Sequence, residues 1–580
     1  MIVRYRPGDD LRQYVSRYVL PFVTTPGQYA GGELNSTVKD HALVKATFAL
    51  AFPDTYALGM SSLGMQVLYN VLNSHPDIAC ERVYCPWTDA EARLRACGAP
   101  LYSLETFTPL GRFDVVGVSM GYELNATNLL TMLDLAGIPL RAEARGDANP
   151  IVVIGGHAAF SPEPLADFAD AFAIGDGEEL AVEIALTVGR LRRAGTPREE
   201  LLYELARTVP GVYVPRFYRF EFAAGGRVSA IAPLRPGLPL PVRRRAVSDF
   251  EDAPAPTRPV VPFVETIHDR YAVEIMRGCP NGCRFCQASA IARPRRQRSP
   301  ERVMQIVREA LANTGYDEVS LLSLSSSDYP DVVELARRMY EEFGAQGVGV
   351  SLPSLRLGTT LALLPLETSR VRKSGLTMAP EAATERLRKL INKPVLDEDL
   401  FAGCAAAFRA GYSAVKLYFM IGLPGETDED VRAIGGLCER VAALRREASG
   451  KGPARVNASI SSFVPKAWTP FEREPMCSPS ELLRRQALAR SSLTTRNVRM
   501  RFHETGVSFI EGALARADRR MGRAILEAWS RGARFDGWER RLNLALWEDA
   551  FRTARIDAEA CAQRARGPGE ILPWSIVSSH

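Results

Sequence analysis

The sequence predicts an α/β protein: a doubly wound, mostly parallel sheet, then a partial (β/α)6 barrel, then a helical C-terminal region. Two series of alternating β-rich and amphipathic segments point to this, and a Pro-rich stretch separates them. The 580 residues suffice for two to four domains at roughly 150 residues each. Hydrophobic residues make up 46% and charged residues 24%, the balance of a folded chain, which excludes disordered and fibrous classes.

Residues 1–43 read as an N-terminal extension, and the first alternating series covers 44–200. ATFALAF (46–52) is a buried strand, and the segment after it sets Leu63, Val67, Leu68, Val71 and Leu72 on one helical face. FDVVGVSM (113–120), PIVVIGG (150–156) and DAFAIGDGEE (170–179) are further strands, the last two running into glycine. Strand, glycine turn and helix in alternation predict a doubly wound sheet, whose ligands bind at the carboxyl ends of the strands. Residues 201–264 read as a linker with a small β excursion, rich in proline. Residues 265–494 hold six β/α units, with strands AVEIM, EVSLLSL, GVGVSL, GLTMA, AVKLYFMI and RVNASISSF, and with Ser299 and Pro300 starting a helix. In such barrels the chemistry sits in the loops after the strands. Residues 495–580 read as Arg-rich and helical, their tryptophans (Trp529, Trp538, Trp547 and Trp574) packing the tail onto its own chain.

A net charge of +5 makes no case for a dedicated nucleic-acid or membrane-surface binder. No run of about 18 apolar residues is free of charge, so no membrane span is expected. The charged N-terminal stretch is unlike a signal peptide. A cytoplasmic location follows as the expectation, and there thiols stay reduced. Ten cysteines then read as ligands where clustered and as buried thiols where scattered. MRGCPNGCRFCQA sets Cys279, Cys283 and Cys286 in C-x3-C-x2-C spacing directly after a strand. Soft thiolates suit an iron–sulfur cluster or zinc. A closed zinc site needs a fourth ligand and the next cysteine, Cys404, is remote in sequence. Three ligands with a vacant position fit a 4Fe-4S cluster with one open iron.

This spacing, with Phe285 just before the third cysteine, resembles the radical S-adenosylmethionine (SAM) superfamily. The resemblance implies that SAM binds the open iron through its amino and carboxylate groups. It also implies reductive cleavage of SAM to methionine and a 5′-deoxyadenosyl radical, with a flavodoxin or ferredoxin as electron donor. Further segments extend the likeness and imply SAM-binding roles. Phe285 lies in the cluster motif; Ser325, Ser326 and Asp328 in SLSSSDY would hold the methionine amino end; Glu381 in TMAPEAATERL would meet the ribose. Ile421 and Gly422 in FMIGLPGET would border the adenine. Arg356 in VSLPSLRL offers a planar fork to the carboxylate. Taken by themselves, the same groups also suit a hydroxyl-rich turn and helix-start carboxylates.

The N-terminal half is similar to the cobalamin-binding radical SAM subfamily, closest to an uncharacterised fused cobalamin and radical SAM family. The matching stretches are AFPDTYALGMSSLG, GVSMGYELNATN, VVIGGHAAFSPEPLADF and IGDGEE, with YAGGELNS and FVETIHDRYAVEIMRGC outside them. The likeness implies a Rossmann-like cobalamin-binding domain in which Gly121, Tyr122, Gly155, Gly156, His157, Gly175 and Gly177 approach the cofactor. The D-x-H-x-x-G cobalt-ligand motif is absent, so no axial imidazole is specified, and a hydrogen-bonding or packed role for His157 is favoured over ligation. A domain that no longer binds corrin is the competing reading. Lys466 and Trp468, in SSFVPKAWTPFE, fall at the substrate side of the barrel. The implied activity is methyl transfer to an unactivated carbon. Sulfur insertion, cyclisation or rearrangement without cobalamin is the alternative. The arginines at 243–245 and at 293, 295, 296 and 298 suit RNA phosphates, a phosphorylated substrate or interdomain pairing, and they motivate a third reading, an RNA- or ribosome-associated protein with a structural cluster.

Overall fold

The computed structural model describes residues 3–351, 376–393 and 395–579. The N-terminal sheet contains β1 (Ala46–Phe52), β2 (Ile78–Tyr84), β3 (Val115–Ser119), β4 (Ile151–Gly155), β5 (Ala171–Ala173) and β6 (Val212–Tyr213), in the order β2-β1-β3-β4-β5-β6. β1 to β5 are parallel, and β6 joins the edge antiparallel. These strands read as nearly continuous apolar runs because both faces are covered. β2 is buried along its whole length. Helices α1 (Leu63–Ser74), α2 (Ala126–Leu135) and α3 (Gly177–Arg193) flank the sheet, and α3 packs against both α1 and β1. The chain leaves β1 toward β2 on one side and reaches β3 on the other, which opens a crevice at the carboxyl ends of β1 and β3.

After a hairpin formed by Tyr218–Phe222 and Val228–Pro233, the chain enters a second set of parallel strands. β7 (Tyr271–Glu274), β8 (Glu318–Leu322) and β9 (Gly349–Ser351) form one sheet; β10 (Leu376–Glu381), β11 (Ala414–Ile421), β12 (Arg455–Ser462) and β13 (Val498–Phe502) form another. Between them run α4 (Pro300–Thr314), α5 (Val332–Phe343), α6 (Asp397–Arg409), α7 (Asp428–Ser449) and α8 (Pro479–Ser491). Ser299 and Pro300 start α4 as the sequence predicts, the Ser299 hydroxyl accepting the Arg302 N–H. β13 lies in the segment whose sequence pattern reads as helical. VRMRF alternates apolar and arginine side chains, so this half-exposed edge strand carries little apolar signal.

The C-terminal helices α9 (Thr505–Ala515), α10 (Met521–Ser530) and α11 (Leu544–Ala554) fold back onto the N-terminal domain. Trp529 Nε1 donates to Thr131 Oγ1 at 3.0 Å, Trp538 Nε1 to Asp54 Oδ1 at 2.9 Å, and Thr127 Oγ1 to Asp536 Oδ2 at 2.8 Å. The main hydrophobic core is therefore continuous from the doubly wound sheet through the tail to β10–β12. Among the described residues no helix is long and apolar enough to cross a membrane.

Candidate functional site

The cysteine loop leaves β7, and its base is closed by a two-residue antiparallel pairing of Met276–Arg277 with Arg296–Gln297. Cys279 is buried; Cys283 and Cys286 are half-buried. Asn281 Nδ2 lies 3.3 Å from Cys279 Sγ and donates to Asp328 Oδ2 at 2.6 Å. The same carboxylate oxygen accepts Ser325 Oγ at 2.6 Å. The turn after β8 is thus tied directly to the cysteine loop. Ser326 is buried, with its hydroxyl 2.9 Å from Ser323 Oγ. Cys286 caps the short helix Gln287–Ile291, its sulfur receiving the Ser289 N–H. Burial pushes the Cys283 thiol up, Lys393 pulls it back, and Cys286 and Cys279 push it further, so Cys283 lies within electrostatic reach of both other thiols. Among the described residues no three His, Cys, Asp or Glu side chains converge as on one metal ion. A cluster holds its thiolates further apart than a single ion does.

Phe285 packs with Ala382, Leu387, Ile391, Leu423, Phe463 and Phe471, an apolar plug beside the ends of β10, β11 and β12. Glu381 ends β10 at φ +67° and receives Lys393 Nζ at 2.8 Å. Ile421 is fully buried. Gly422, at φ +84°, donates its N–H to Glu426 Oε2 at 2.6 Å, and Glu426 pairs with Arg485. Burial pushes the Glu426 carboxyl up to about 7 against the pull of the Gly422 N–H and Arg485. The structure thus brings Ser325 and Asp328 to Cys279, and Phe285, Glu381 and the turn after Ile421 to the other side of the loop. Arg356 lies outside the described residues.

Across the domain boundary a crevice of about 350 Å³ occupies the carboxyl edge of the doubly wound sheet. Gly155, Gly156, Gly175 and Gly177 all line it, with an aliphatic wall from Leu63, Val67 and Leu68. On the barrel side it is bounded by Glu274, Arg277 and Leu322, at or just beyond the ends of β7 and β8. Burial works against the Arg277 charge, but Glu274 and Glu178 hold the guanidinium above its usual range, and the 2.6 Å contact to Glu178 spans the two domains.

Gly121, Tyr122 and His157 do not line the crevice. Tyr122 OH donates to Glu511 Oε2 at 2.8 Å, and Lys466 Nζ lies 2.8 Å from Glu123 and 2.9 Å from Glu511. Burial opposes the Lys466 charge, yet the two carboxylates outweigh it and raise its pKa. His157, the residue after the crevice-lining Gly156, is open to solvent but surrounded by enough protein to hold its imidazole below the usual value; nearby Glu123 opposes this and Lys466 reinforces it. Trp468 Nε1 donates to Phe160 O at 2.9 Å, which joins the barrel's last loop to the N-terminal domain. Sequence reasoning missed Asn281, Glu123, Lys393 and Glu511. Asn281 sits inside the cysteine motif and was open to detection; the others carry no local signal. The basic runs divide: Arg243, Arg293 and Arg295 are exposed, whereas Arg296 pairs with Asp176, Arg245 with Glu179 and Glu183, and Arg298 donates to Glu251 O.

A doubly wound domain docked on a set of parallel β/α units, with a three-cysteine loop after the first barrel strand, defines a class of two-domain α/β protein built around a thiol-rich loop. Residues 64–215 match the N-terminal family of radical SAM proteins, and residues 273–438 match the radical SAM superfamily. The chain belongs to the radical SAM superfamily. It is 26% identical over 479 residues to the uncharacterized protein MJ0966 of Methanocaldococcus jannaschii, covering 82% of this chain and 90% of the relative. Over 174 residues it is 28% identical to the ribosomal protein uS12 methylthiotransferase RimO of Desulfotalea psychrophila, which covers 28% of this chain and 38% of that enzyme. Among solved structures it is similar to the radical SAM methyltransferase TsrM of Kitasatospora setae with cobalamin and a [4Fe-4S] cluster bound, at a TM-score of 0.46 and 15% identity, covering 74% of this chain and 77% of that one.

Proposed function

We propose that this chain is a radical SAM enzyme that uses cobalamin to methylate an unactivated carbon. The observation that carries the reading is the crevice at the carboxyl edge of the doubly wound sheet. It is lined by glycine backbone and aliphatic side chains, and it is bounded by the barrel strands that lead into the cysteine loop and the Ser325–Asp328 turn. Glycine backbone and an aliphatic wall allow a broad ring to approach the strand ends closely, and the polar groups of the lining are available to its amide rim. The donor set of the loop fits a 4Fe-4S cluster: three thiols on one short loop, Cys283 within electrostatic reach of the other two, with no fourth cysteine in the motif. Cys279, Cys283 and Cys286 hold the cluster in this reading. When bound, these groups supply reductive SAM cleavage to a 5′-deoxyadenosyl radical and a transferable methyl group.

The chain's own residues orient and enclose. Asp328, fixed by Asn281 and Ser325, sets a negative charge beside Cys279, where the methionine ammonium is needed. Glu381, steadied by Lys393, is available to ribose hydroxyls, and the plug around Phe285 keeps water from the radical. His157, next to the crevice-lining Gly156, is placed to hydrogen-bond beside the crevice. Lys466, Trp468 and Tyr122 close the floor between the domains.

A second reading, sulfur insertion, draws on the partial likeness to RimO. Anaerobic reconstitution with iron, sulfide and hydroxocobalamin separates the two. The methyltransferase reading expects a corrin spectrum that survives gel filtration, together with 5′-deoxyadenosine release. A protein that shows the cluster's absorption without a corrin spectrum and still cleaves SAM favours sulfur insertion. A triple variant, C279A/C283A/C286A, that still releases 5′-deoxyadenosine overturns both.

A further inference from the structure

We infer that the arginine-lined cavity between the Tyr218–Pro233 hairpin and the C-terminal helices binds a multiply charged oxyanion, a phosphate or diphosphate group carried by a small molecule. The cavity has a volume of about 380 Å³ and shares no lining residue with the crevice between the domains. Seven arginines line it against three carboxylates, and all three carboxylates are already engaged. Asp518 pairs with Arg520 at 2.6 Å, Glu570 with Arg564 at 2.6 Å, and Asp557 accepts the Ala560 N–H at 2.8 Å. Positive charge is left over in two places.

The first is the rim. The side chains of Arg227, Arg523 and Arg555 line the cavity, are exposed, and make no ion pair or hydrogen bond among the described residues. The second is the wall. Arg516 is fully buried and Arg566 is 8% exposed, and the Nε of each is buried without a partner. Arg516 reaches only the backbone carbonyls of Glu474 and Arg564; Arg566 donates to Arg516 O and stands 3.9 Å from Glu570. Burial and repulsion from neighbouring arginines, Arg566 and Arg564 on Arg516 and Arg564 on Arg566, pull both guanidinium groups below their usual range.

Other buried arginines meet carboxylates, apart from Arg298, which is held singly by the backbone carbonyls of Glu274 and Glu251 and does not stand beside a second buried arginine. Arg82 is clamped between Glu33 and Glu105, and Arg145 meets Asp170 at 2.8 Å. A buried charge without such a partner is costly. An oxyanion supplies the missing partner, because guanidinium forks match phosphate oxygens and each contact is charge-assisted. The arginines surround a concavity of small-molecule size, whereas a nucleic-acid site is a basic stripe along a surface.

Titration calorimetry on the full chain with inorganic phosphate and with diphosphate tests the assignment. Saturable binding at a single site is expected, tighter for diphosphate. The rim variant R227A/R523A/R555A should weaken it at least tenfold while folding normally, since it removes unpaired like charges and touches no core contact. The same variant should leave corrin retention unchanged, so failure here is distinguishable from failure of the methyltransferase reading. Absence of saturable binding up to millimolar anion overturns the proposal. So does equal binding by the rim variant, or tight binding of a single-stranded RNA at this cavity that diphosphate does not displace.

Discussion

The two domains present their ligand-facing edges in different chemical terms. In the doubly wound domain the edge is mainly backbone and hydrocarbon: four glycines at and after the ends of β4 and β5, with a wall of Leu63, Val67 and Leu68, and with the Asp176 and Glu178 carboxylates occupied by arginines of the barrel. In the barrel it is side-chain functional groups: three thiols, the Asn281 amide, the Ser325 hydroxyl, and the Asp328 and Glu381 carboxylates. The first edge selects by shape and tolerates exchange of side chains but not of backbone conformation. The second selects by donor identity, and a single atom decides it.

The largest effect should come from the thiols. Cys279→Ser, Cys283→Ser and Cys286→Ser each keep the volume and change only the donor atom, and each is expected to abolish 5′-deoxyadenosine release in reconstituted protein. Corrin retention after gel filtration should be unaffected in all three. A serine variant that keeps even a tenth of the parent's SAM cleavage breaks the donor-identity side of the comparison.

The shape side is tested at Gly175. It sits at φ +110°, and a Cβ there would stand 2.1 Å from Arg245 O, in the strand segment bridged to it. Gly175→Ala therefore combines a strained conformation with a backbone clash, at a cost of about 3 kcal/mol, and corrin should no longer survive gel filtration. Leu68→Met, in the same wall, conserves apolar volume and should cost less than about 1.5 kcal/mol with retention intact. Denaturant unfolding of both variants measures the contrast. Equal costs would mean that the crevice is not defined by its backbone.

The boundary between the domains mixes the two modes at Lys466, whose ammonium lies between Glu123 and Glu511. Lys466→Met leaves two carboxylates facing each other in a mostly buried site, a loss of about 2 kcal/mol for a partly exposed cluster. Without the cation one carboxyl takes up a proton more readily, so the deficit against the parent should be larger at pH 8 than at pH 5.5. Thermal unfolding at the two pH values reads this directly, and a pH-independent deficit would show that Lys466 acts through packing alone.

How much of this was written in the sequence follows the same division. The cysteine loop was legible because its chemistry depends on residue identity at fixed spacing within one loop. The crevice glycines were legible because strand, glycine turn and helix is a local pattern. Glu123 and Glu511 were not, because they meet Lys466 only after the tail folds back over the N-terminal domain: Lys466 and Glu123 are 343 residues apart. The basic run at 293–298 left several partners open for the same reason, since a charge shows its sign in the sequence but not its partner; for Arg296 it is interdomain pairing, with Asp176. β13 was hidden by Arg499 and Arg501, which face solvent on a half-covered strand.

The smallest effect concerns the place where the barrel also relies on a glycine turn. Gly422 holds its left-handed conformation with its N–H on Glu426, a side chain buried against Arg485. Burial raises this carboxyl from an ordinary 4.5 to about 7. Between those values the folded chain keeps the proton and the unfolded chain has lost it, so the folded state binds more protons and stability falls as pH rises across the window. Above the upper value the contribution is constant. Glu426→Gln cannot titrate, so this slope should vanish, and the difference in unfolding free energy between variant and parent should change by about 2 kcal/mol between pH 5 and pH 7.5. Paired urea titrations across that range measure it. A difference that stays flat would mean that Glu426 is ionised throughout and that Gly422 is held by a full negative charge. The barrel would then stabilise even its backbone turn through a charged side chain, which sharpens its contrast with the doubly wound domain.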